Sequence, residues 1–456
     1  LLATMKVPFL DRLPQPLALA VLAGLLQAAF LLLRRLNPLD ENLIGALVIA
    51  LAASVVYFVA AWLVCSWRKT TPASLVVVLL AAVVFRATLF PLPPTLSDDL
   101  YRYVWEGEIQ LAGQNPYLVT PDSLAGDLPE LPDRPQPQDL PGAAFPTAYG
   151  PVTELLFRLA ARVDGLAGFK LLSVAFDLAT LLLIVGLLSV RREPPARALL
   201  YGWCPLVVIE FAASGHNDSI ALFGLVLANA LIIRERPVMS NLALAAAALS
   251  KWFAAVVIPV FWWRGRWWGL PAFLAAAGAL LLPYREAGWG LGSGFFAYAE
   301  KWRNNESLYA VLMAATKQET IAAGVGLGVV AGLGVYCAVK RMEPLRASYL
   351  LVGAVLLLSP SVFPWYVTWL VPFLCFFPNP GFLLFTATVL LSYHALIGYT
   401  AGGRWEYQSW LVWLEYLPVY ALLLWSGWKW ARAPAGRAQS SSPPRPRSGP
   451  AARPDS

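Results

Sequence analysis

The stretch "SDDLYRYVWEGEIQLAGQNPY", Ser97 to Tyr117, sets two adjacent aspartates, an arginine, two glutamates and several aromatics in a chain with little charge elsewhere. Adjacent carboxylates repel, and a desolvated carboxylate has its pKa raised toward the range in which it can take a proton from a hydroxyl. Ser97 reads as a helix N-cap with Asp98 and Asp99 in the first turn, and Gly113 with Asn115-Pro116 reads as the stop. At helical spacing Asp98, Arg102 and Glu106 share one face, while Leu100, Tyr101, Val104, Trp105 and Leu111 form an apolar and aromatic one. Such a helix is expected along a membrane surface, its aromatic side at headgroup level. Taken alone, the acidic pair is explained equally well by the helix macrodipole, which favours carboxylates in a first turn.

Further polar groups in apolar surroundings shift that balance. "VVIEFAASGHNDSIAL" puts Glu210 inside an apolar run with His216, Asn217 and Asp218 at its mouth, and "ALSKWFAAVVIP" puts Lys251 in the middle of another. Ionisable groups in apolar spans are costly, so they face a cavity or a partner. In "GFKLLSVAFD", Lys170 and Asp177 lie on one helical face and are expected to form a structural ion pair. "FFAYAEKWRNNESLY" and "SPSVFPWYVTWLVP" add Trp302, Asn304, Asn305, Trp365 and Tyr366. An interfacial aromatic belt explains many such residues. Trp365 and Tyr366, pinned between prolines, are less ordinary.

The elements that must position these groups are membrane spans. Of 456 residues 58% are hydrophobic and 13% charged, with mean hydropathy +0.60, against about 25% charged in soluble domains. The expected fold is an all-α polytopic membrane protein of about 12–14 transmembrane helices. Spans are expected near 17–33, 43–65, 73–90, 166–190, 198–214, 219–233, 267–283, 320–339, 347–359, 363–377, 381–399 and 410–428. The first is expected to be an anchor, because no small-residue cleavage site follows it. The run 240–263 lies between arginines that charge places on the same side, so it is expected to be a broken helix or short hairpin with Lys251 pointing into a cavity.

Putting the N-terminus in the cytoplasm places most basic loops inside, with Arg34 and Arg35 as the exception. The formal charge of +7 is then a topology signal and gives no reason to infer nucleic-acid binding. This orientation makes 91–165 a large extracytoplasmic loop within a transmembrane domain spanning 1–430, followed by a disordered basic cytoplasmic tail over 431–456. The four cysteines lie in or beside spans with no metal-ligand spacing. The carboxylates could hold a divalent ion, but no multi-ligand spacing demands one. No Gly-rich phosphate loop follows a strand.

Taken together, "SDDLYRYVWEGEIQLAGQNPY", "AYGPVTELLF", "SGHNDSIALF", "ALSKWF" and "FPWYVTW" resemble the GT-C fold glycosyltransferases that use polyprenyl-phosphate sugars, in particular the bacterial polyprenol-phosphate-mannose-dependent branch. One departure is Glu106, where that pattern has an aspartate. The resemblance implies an inverting transfer of a sugar, mannose in this branch, from a polyprenyl-phosphate donor to a glycan or glycolipid acceptor. It also implies a bacterial inner membrane with the active site on the extracytoplasmic side. By resemblance the base is the pair Asp98 and Asp99, leaning toward Asp98. Lys251, His216 and Arg102 are the candidate cations for the leaving phosphate. Tyr101, Trp105, Glu106, Asn115, Tyr117, Tyr149, Asn217, Asp218, Asn304, Trp365 and Tyr366 are expected to bind substrate or frame the pocket. A polysaccharide polymerase or ligase shares such donors and is the nearer rival. A lipid-linked sugar transporter would also have many spans, midplane charges and a broken helix, but no internal repeat is evident.

Overall fold

The computed structural model describes residues 13–124, 135–163, 165–264, 268–403 and 405–432. The expected disordered tail lies outside these from residue 433 onward. Among the described residues the chain is helical, with one isolated parallel bridge between Asn304 and Ser361.

The N-terminal part builds from three long apolar helices, α1 (Gln15–Arg35), α2 (Leu43–Ser66) and α3 (Pro72–Leu89). Each starts where the sequence supplies a start signal. In α3, Thr71 accepts the amide of Ser74 at 3.2 Å with Pro72 at the first helical position. The polar helix α4 (Asp99–Leu111) follows, then α5 (Pro151–Ala160) and the long apolar α6 (Ala167–Val190). Two short helices, α7 (Leu199–Gly202) and α8 (Pro205–Val208), continue into a π-helical turn at Ile209–Ala213. Next come α9 (Asp218–Ile233) and α10 (Pro237–Ala248), which pack on one another and, through α9, on α6.

Among the described residues six helices are long and apolar enough to cross a membrane: Gln15–Arg35, Leu43–Ser66, Pro72–Leu89, Ala167–Val190, Glu319–Val339 and Pro380–Tyr399. The protein is an all-α polytopic membrane protein. Several of the other expected spans are interrupted. The run expected at 198–214 belongs to a pair, Pro195–Gly202 and Pro205–Ala213, bent by 61°. Pro205 has no amide to continue the ladder, which is why the helix breaks there. The run 363–377 is likewise divided, at Pro364 and Pro372, into short helices Pro364–Val367 and Val371–Leu374. The broken helix expected over 240–263 is present: α10 ends at Ala248, a 3₁₀ segment runs Trp252–Val257, and a helix resumes at Ile258–Arg264.

One expected pair is not formed. Asp177 on α6 is paired with Arg86 on α3, not with Lys170. The Arg86 guanidinium reaches both carboxylate oxygens, Nε to Oδ2 at 2.5 Å and Nη2 to Oδ1 at 3.0 Å, and its Nη1 donates to the carbonyls of Ala82 and Gly202. A planar fork satisfies a buried carboxylate at two points, which an ammonium cannot do. Lys170 instead donates to the carbonyls of Phe90 and Leu92 at 2.6 and 2.5 Å. Those carbonyls lie just past the end of α3, where helical backbone acceptors lack partners and favour a cation.

Both members of the Arg86–Asp177 pair are buried, so removing one strands the other's charge in an apolar interior. Asp177→Ala is expected to cost roughly 3–5 kcal/mol, whereas the double change Arg86→Met with Asp177→Leu regains most of it. Thermal unfolding of the detergent-solubilised variants checks this, and equal losses in the single and double variants would contradict it.

Candidate active site

The helix α4 is capped one residue later than its sequence suggests. Asp98 is the N-cap residue, Ser97 Oγ accepts the amide of Asp99 at 3.3 Å, and only Asp99 stands in the first turn. That register separates the acidic pair. Asp98 is exposed, while Asp99 points inward with 24% of its side chain open. Tyr103, four residues on and therefore on the same face, brings its hydroxyl to 3.4 Å from His216 Nδ1. Asp99 Oδ2 lies 3.9 Å from that same nitrogen.

What holds α4 in place is the charged face that was expected to meet solvent or substrate. Arg102 and Glu106 are both buried and paired, Nε to Oε1 at 2.8 Å. The remaining Arg102 donors meet the carbonyls of Pro141, Gly142 and Phe145. Arg102 is thus a clamp on the returning loop, with no donor aimed at a leaving group. On the next turn Gln110 donates to Glu154 Oε2 at 2.8 Å, and Thr147 donates to Glu154 Oε1 at 2.7 Å. Burial pushes the Glu154 carboxyl well above the usual range, and neighbouring Glu106 adds to it. Tyr101 and Trp105 pack around Ile109 and Leu140 in a small apolar cluster. Asn115 accepts the amide of Tyr117 in an Asx turn, and the Tyr117 hydroxyl donates to the Tyr149 carbonyl. These residues, expected to line a pocket, shape the loop.

The second contribution comes from "SGHND". Gly215 has φ +76 with Lys170 and Leu100 side-chain atoms 3.0–3.3 Å from where a Cβ would stand, so only glycine turns the chain here. The turn delivers His216 onto the face of Trp365, ring centroids 4.0 Å apart and 19° from parallel. Asp218 opens α9, accepting Lys251 Nζ on Oδ2 at 2.6 Å and Trp369 Nε1–H on Oδ1 at 2.5 Å. Asn217 Oδ1 lies 3.4 Å from the same ammonium.

Lys251 sits in extended backbone at the break after α10, φ −146°, ψ 128°. The break is held from α5. The amides of Gly150 and Val152 donate to the carbonyls of Ser250 and Leu249, and Thr153 Oγ1 donates to Ser250. A Cβ on Gly150 would stand 2.0 Å from the Leu249 carbonyl oxygen. "YGP" and "SK", a hundred residues apart in the chain, are therefore one joint.

The third contribution is an aromatic wall. Phe363 stacks on Trp365 at 4.4 Å, Tyr366 on Trp369 at 4.5 Å, and Trp369 on Phe253 at 3.9 Å. Lys251 Nζ lies 5.2 Å from the Tyr366 ring centre and 5.9 Å from that of Trp369. The Tyr366 hydroxyl meets that of Tyr298 at 2.7 Å. Asn304 acts through its backbone, its amide donating to Pro360 and its carbonyl accepting from Val362, which ties an outer helix connection to the start of the wall.

Asp99, His216, Asn217, Asp218, Lys251, Trp365 and Tyr366 thus converge, with Tyr149 edge-on to Tyr103 at 5.2 Å. Burial raises the Asp99 pKa to about 6, with Asp218 and Asp98 adding to the rise and Lys251 opposing it. Asp98, though exposed, is raised too, by partial loss of hydration and then by the Asp40 carboxylate. Burial and then the Lys251 ammonium push His216 well below its usual range, so it is neutral. A raised carboxylate, a fixed ammonium and flat aromatic faces can take a proton from a hydroxyl, attract a departing anion and hold a sugar ring. Among the described residues no three His, Cys, Asp or Glu side chains are grouped to hold a metal ion.

Two members were missed in the sequence: Tyr103 was findable as i+4 from Asp99, and Trp369 as i+4 from Trp365. Glu210, 3.3 Å from His216, stood out in the sequence as a carboxylate in an apolar run but was not counted with the substrate-binding residues.

Residues 17–265 match the family described as "Alpha-(1->6)-mannopyranosyltransferase, N-terminal domain", more than half of the chain. The chain belongs to this family. Residues 305–427 match the MptB C-terminal domain. A relative described as a "Probable alpha-(1->6)-mannopyranosyltransferase" from Mycolicibacterium smegmatis is 26% identical, over 68% of this chain and 67% of the relative. The protein is a multi-pass membrane glycosyltransferase. Asp99, His216, Asp218, Lys251 and Phe253 lie in the part that matches the mannopyranosyltransferase N-terminal domain, and Phe363, Trp365, Tyr366 and Trp369 of the aromatic wall lie in the C-terminal one.

The joint between Gly150 and the backbone before Lys251 generates a test. Gly150→Ala is expected to lower stability by about 1–3 kcal/mol and to weaken activity by displacing Lys251. Gly186→Ala, in the middle of α6 with open space where its Cβ would stand, is expected to be neutral or slightly stabilising. Thermal unfolding of both variants decides the matter, and equal melting temperatures would refute the joint.

Proposed function

We propose that this protein transfers mannose from a polyprenyl-phosphate donor to a hydroxyl of a lipid-linked or cell-envelope glycan, in one inverting displacement on the extracytoplasmic side of a bacterial cytoplasmic membrane. The α-1,6 linkage is the one its family and its mycobacterial relative are named for. The observation that carries the reading is the gathering of Asp99 against His216 and of Lys251 against Asp218, beside a wall of stacked aromatics.

In this reading Asp99 is the base, in preference to Asp98. Asp98 is exposed, whereas Asp99 turns inward to within 3.9 Å of His216, which is stacked on the aromatic wall at Trp365. The acceptor oxygen loses its proton to Asp99 as it bonds to the anomeric carbon, and the bond from that carbon to the phosphate oxygen breaks on the opposite face. The electron pair leaves with the phosphate. Lys251, held by Asp218 on one side, keeps donors for that phosphate, and its attraction grows as negative charge develops there. Tyr366 and Trp365 offer faces to the sugar. A donor delivered in the bilayer needs no nucleotide pocket. Polysaccharide polymerisation would use the same machinery on a growing acceptor, and the identity of the acceptor separates the two.

The pH dependence has a definite sign. Asp99 works as a base only when ionised, so transfer is expected to fall as pH drops below about 6. Folding raises this group above the ordinary aspartate range, so its ionisation opposes folding and acidification through that window favours the folded chain as far as Asp99 is concerned. A rate that falls there reports the base and not unfolding.

The assay is transfer by purified protein in lipid from radiolabelled polyprenyl-phosphate mannose. Asp99→Asn is expected to lose about a thousandfold in rate, Asp98→Asn to stay within about threefold of wild type, and Lys251→Met to lose both rate and donor binding. An inactive Asp98→Asn beside an active Asp99→Asn would move the base to Asp98. No transfer by wild type from this or other lipid-phosphate sugars would overturn the enzyme reading in favour of transport.

A further inference from the structure

Glu210 is fully buried, and its Oε1 accepts from the Tyr393 hydroxyl at 2.8 Å. Its other oxygen, Oε2, has no hydrogen-bond partner in the protein, and neither has Nε2 of His216, which is equally buried. These two unpartnered atoms face each other at 3.3 Å. Buried polar atoms without partners are costly, and a single proton between these two satisfies both.

The backbone is arranged to make this meeting. The chain enters a π-helical turn at Ile209–Ala213, with the Ser214 amide bonded to the Ile209 carbonyl and the His216 amide to the Glu210 carbonyl. A π turn carries one extra residue and re-aims the side chains on it, and such turns recur at functional sites. Here the extra residue places a carboxylate behind the imidazole, on the side away from Asp99.

The opposite nitrogen meets the proposed base. Nδ1 faces the Tyr103 hydroxyl at 3.4 Å and Asp99 Oδ2 at 3.9 Å. A hydroxyl can donate to a bare Nδ1 or accept from Nδ1–H, so the proton shared between Glu210 and Nε2 decides which form Tyr103 and Asp99 meet. The other groups around the ring are Lys251, which disfavours a charged imidazole, and Trp365, stacked on its face. Asp218 and Asp99 act on Glu210 from the mouth of the site.

We propose that Glu210 is a positioning residue that shares one proton with His216 Nε2 and so fixes the single tautomer of the ring whose Nδ1 meets Tyr103 and Asp99. This rests on the assignment of Asp99 as the base. The imidazole stays neutral throughout and acts on the reaction only through the orientation it gives Tyr103 and Asp99.

The test uses the full-length protein in lipid. His216 and His394 are the two histidines of the chain, so histidine ¹⁵N labelling gives two ring signals, and the His394→Asn variant assigns them. Wild type is expected to show His216 as a single neutral tautomer. Glu210→Gln is expected to change or mix that tautomer and to lower kcat by roughly tenfold to a hundredfold with KM for the donor unchanged. Glu210→Asp restores the tautomer and part of the rate. A wild-type ring in mixed tautomers, or a Glu210→Gln protein with unaltered tautomer and kcat, would overturn the proposal while leaving Asp99 as the base. Failure of wild type to transfer sugar would overturn the enzyme reading instead. If Glu210→Gln fails to fold, Tyr393→Phe, which removes the donor to Glu210 Oε1, is read by the same ring signals. A His216 tautomer unchanged in both Tyr393→Phe and Glu210→Asp counts against the proposal.

Discussion

The ion pair between Lys251 and Asp218 is the contact on which the rest of the site depends. An ammonium in an apolar run is tolerated only when paired, and the 2.6 Å contact with Asp218 supplies the partner. Meeting it forces three things at once. The helix that would carry Lys251 through the membrane has to end, so α10 stops at Ala248 and the chain passes into extended backbone. Asp218 has to stand at the start of α9, where the helix N-terminus favours a carboxylate. And Trp369 has to lie against Asp218, because the second oxygen of a buried carboxylate needs its own donor. The aromatic wall follows, since Trp369 is stacked between Phe253 and Tyr366.

The long apolar helices and the break around Lys251 were legible in the sequence because both follow from local quantities, hydropathy and the parity of flanking arginines. The convergence of Asp99, His216, Asp218 and Lys251 was legible only through the resemblance, since no spacing rule joins four segments spread over more than a hundred residues. Lys170 and Arg102 met the same competition. Lys170 was matched to Asp177 and Arg102 to a leaving phosphate because each is a cation near an acid or an outer surface in sequence. In three dimensions backbone carbonyls compete for those cations. Lys170 is taken by the end of α3, and Arg102 by the loop at Pro141, Gly142 and Phe145. Sequence shows charged side chains but not which carbonyls a fold leaves without partners.

The same limitation explains the acidic pair. One residue of shift in the cap, from Ser97 to Asp98, turns one aspartate outward and the other inward. Helix ends are the least certain part of any reading from sequence, and successive side chains on a helix point about 100° apart. Which aspartate turns toward His216 was therefore decided by the feature hardest to read. Tyr103 could have resolved it: a helix that presents Tyr103 to His216 must present Asp99 there too, because residues four apart share a face.

Asp218 also couples the two halves of the chemistry. Its negative charge holds Lys251 in place for an incoming anion and, at the same time, raises the pKa of Asp99. A neutral residue there would leave the ammonium without a partner and would make Asp99 a weaker base. Conversely, Lys251 lowers the Asp99 pKa and discourages charge on His216. When an anionic phosphate approaches Lys251, its charge offsets that of the ammonium, so Asp99 becomes a better proton acceptor at the moment the donor is in place. Substrate binding would then strengthen the base without any movement of the protein, and an empty site would hold a weaker one.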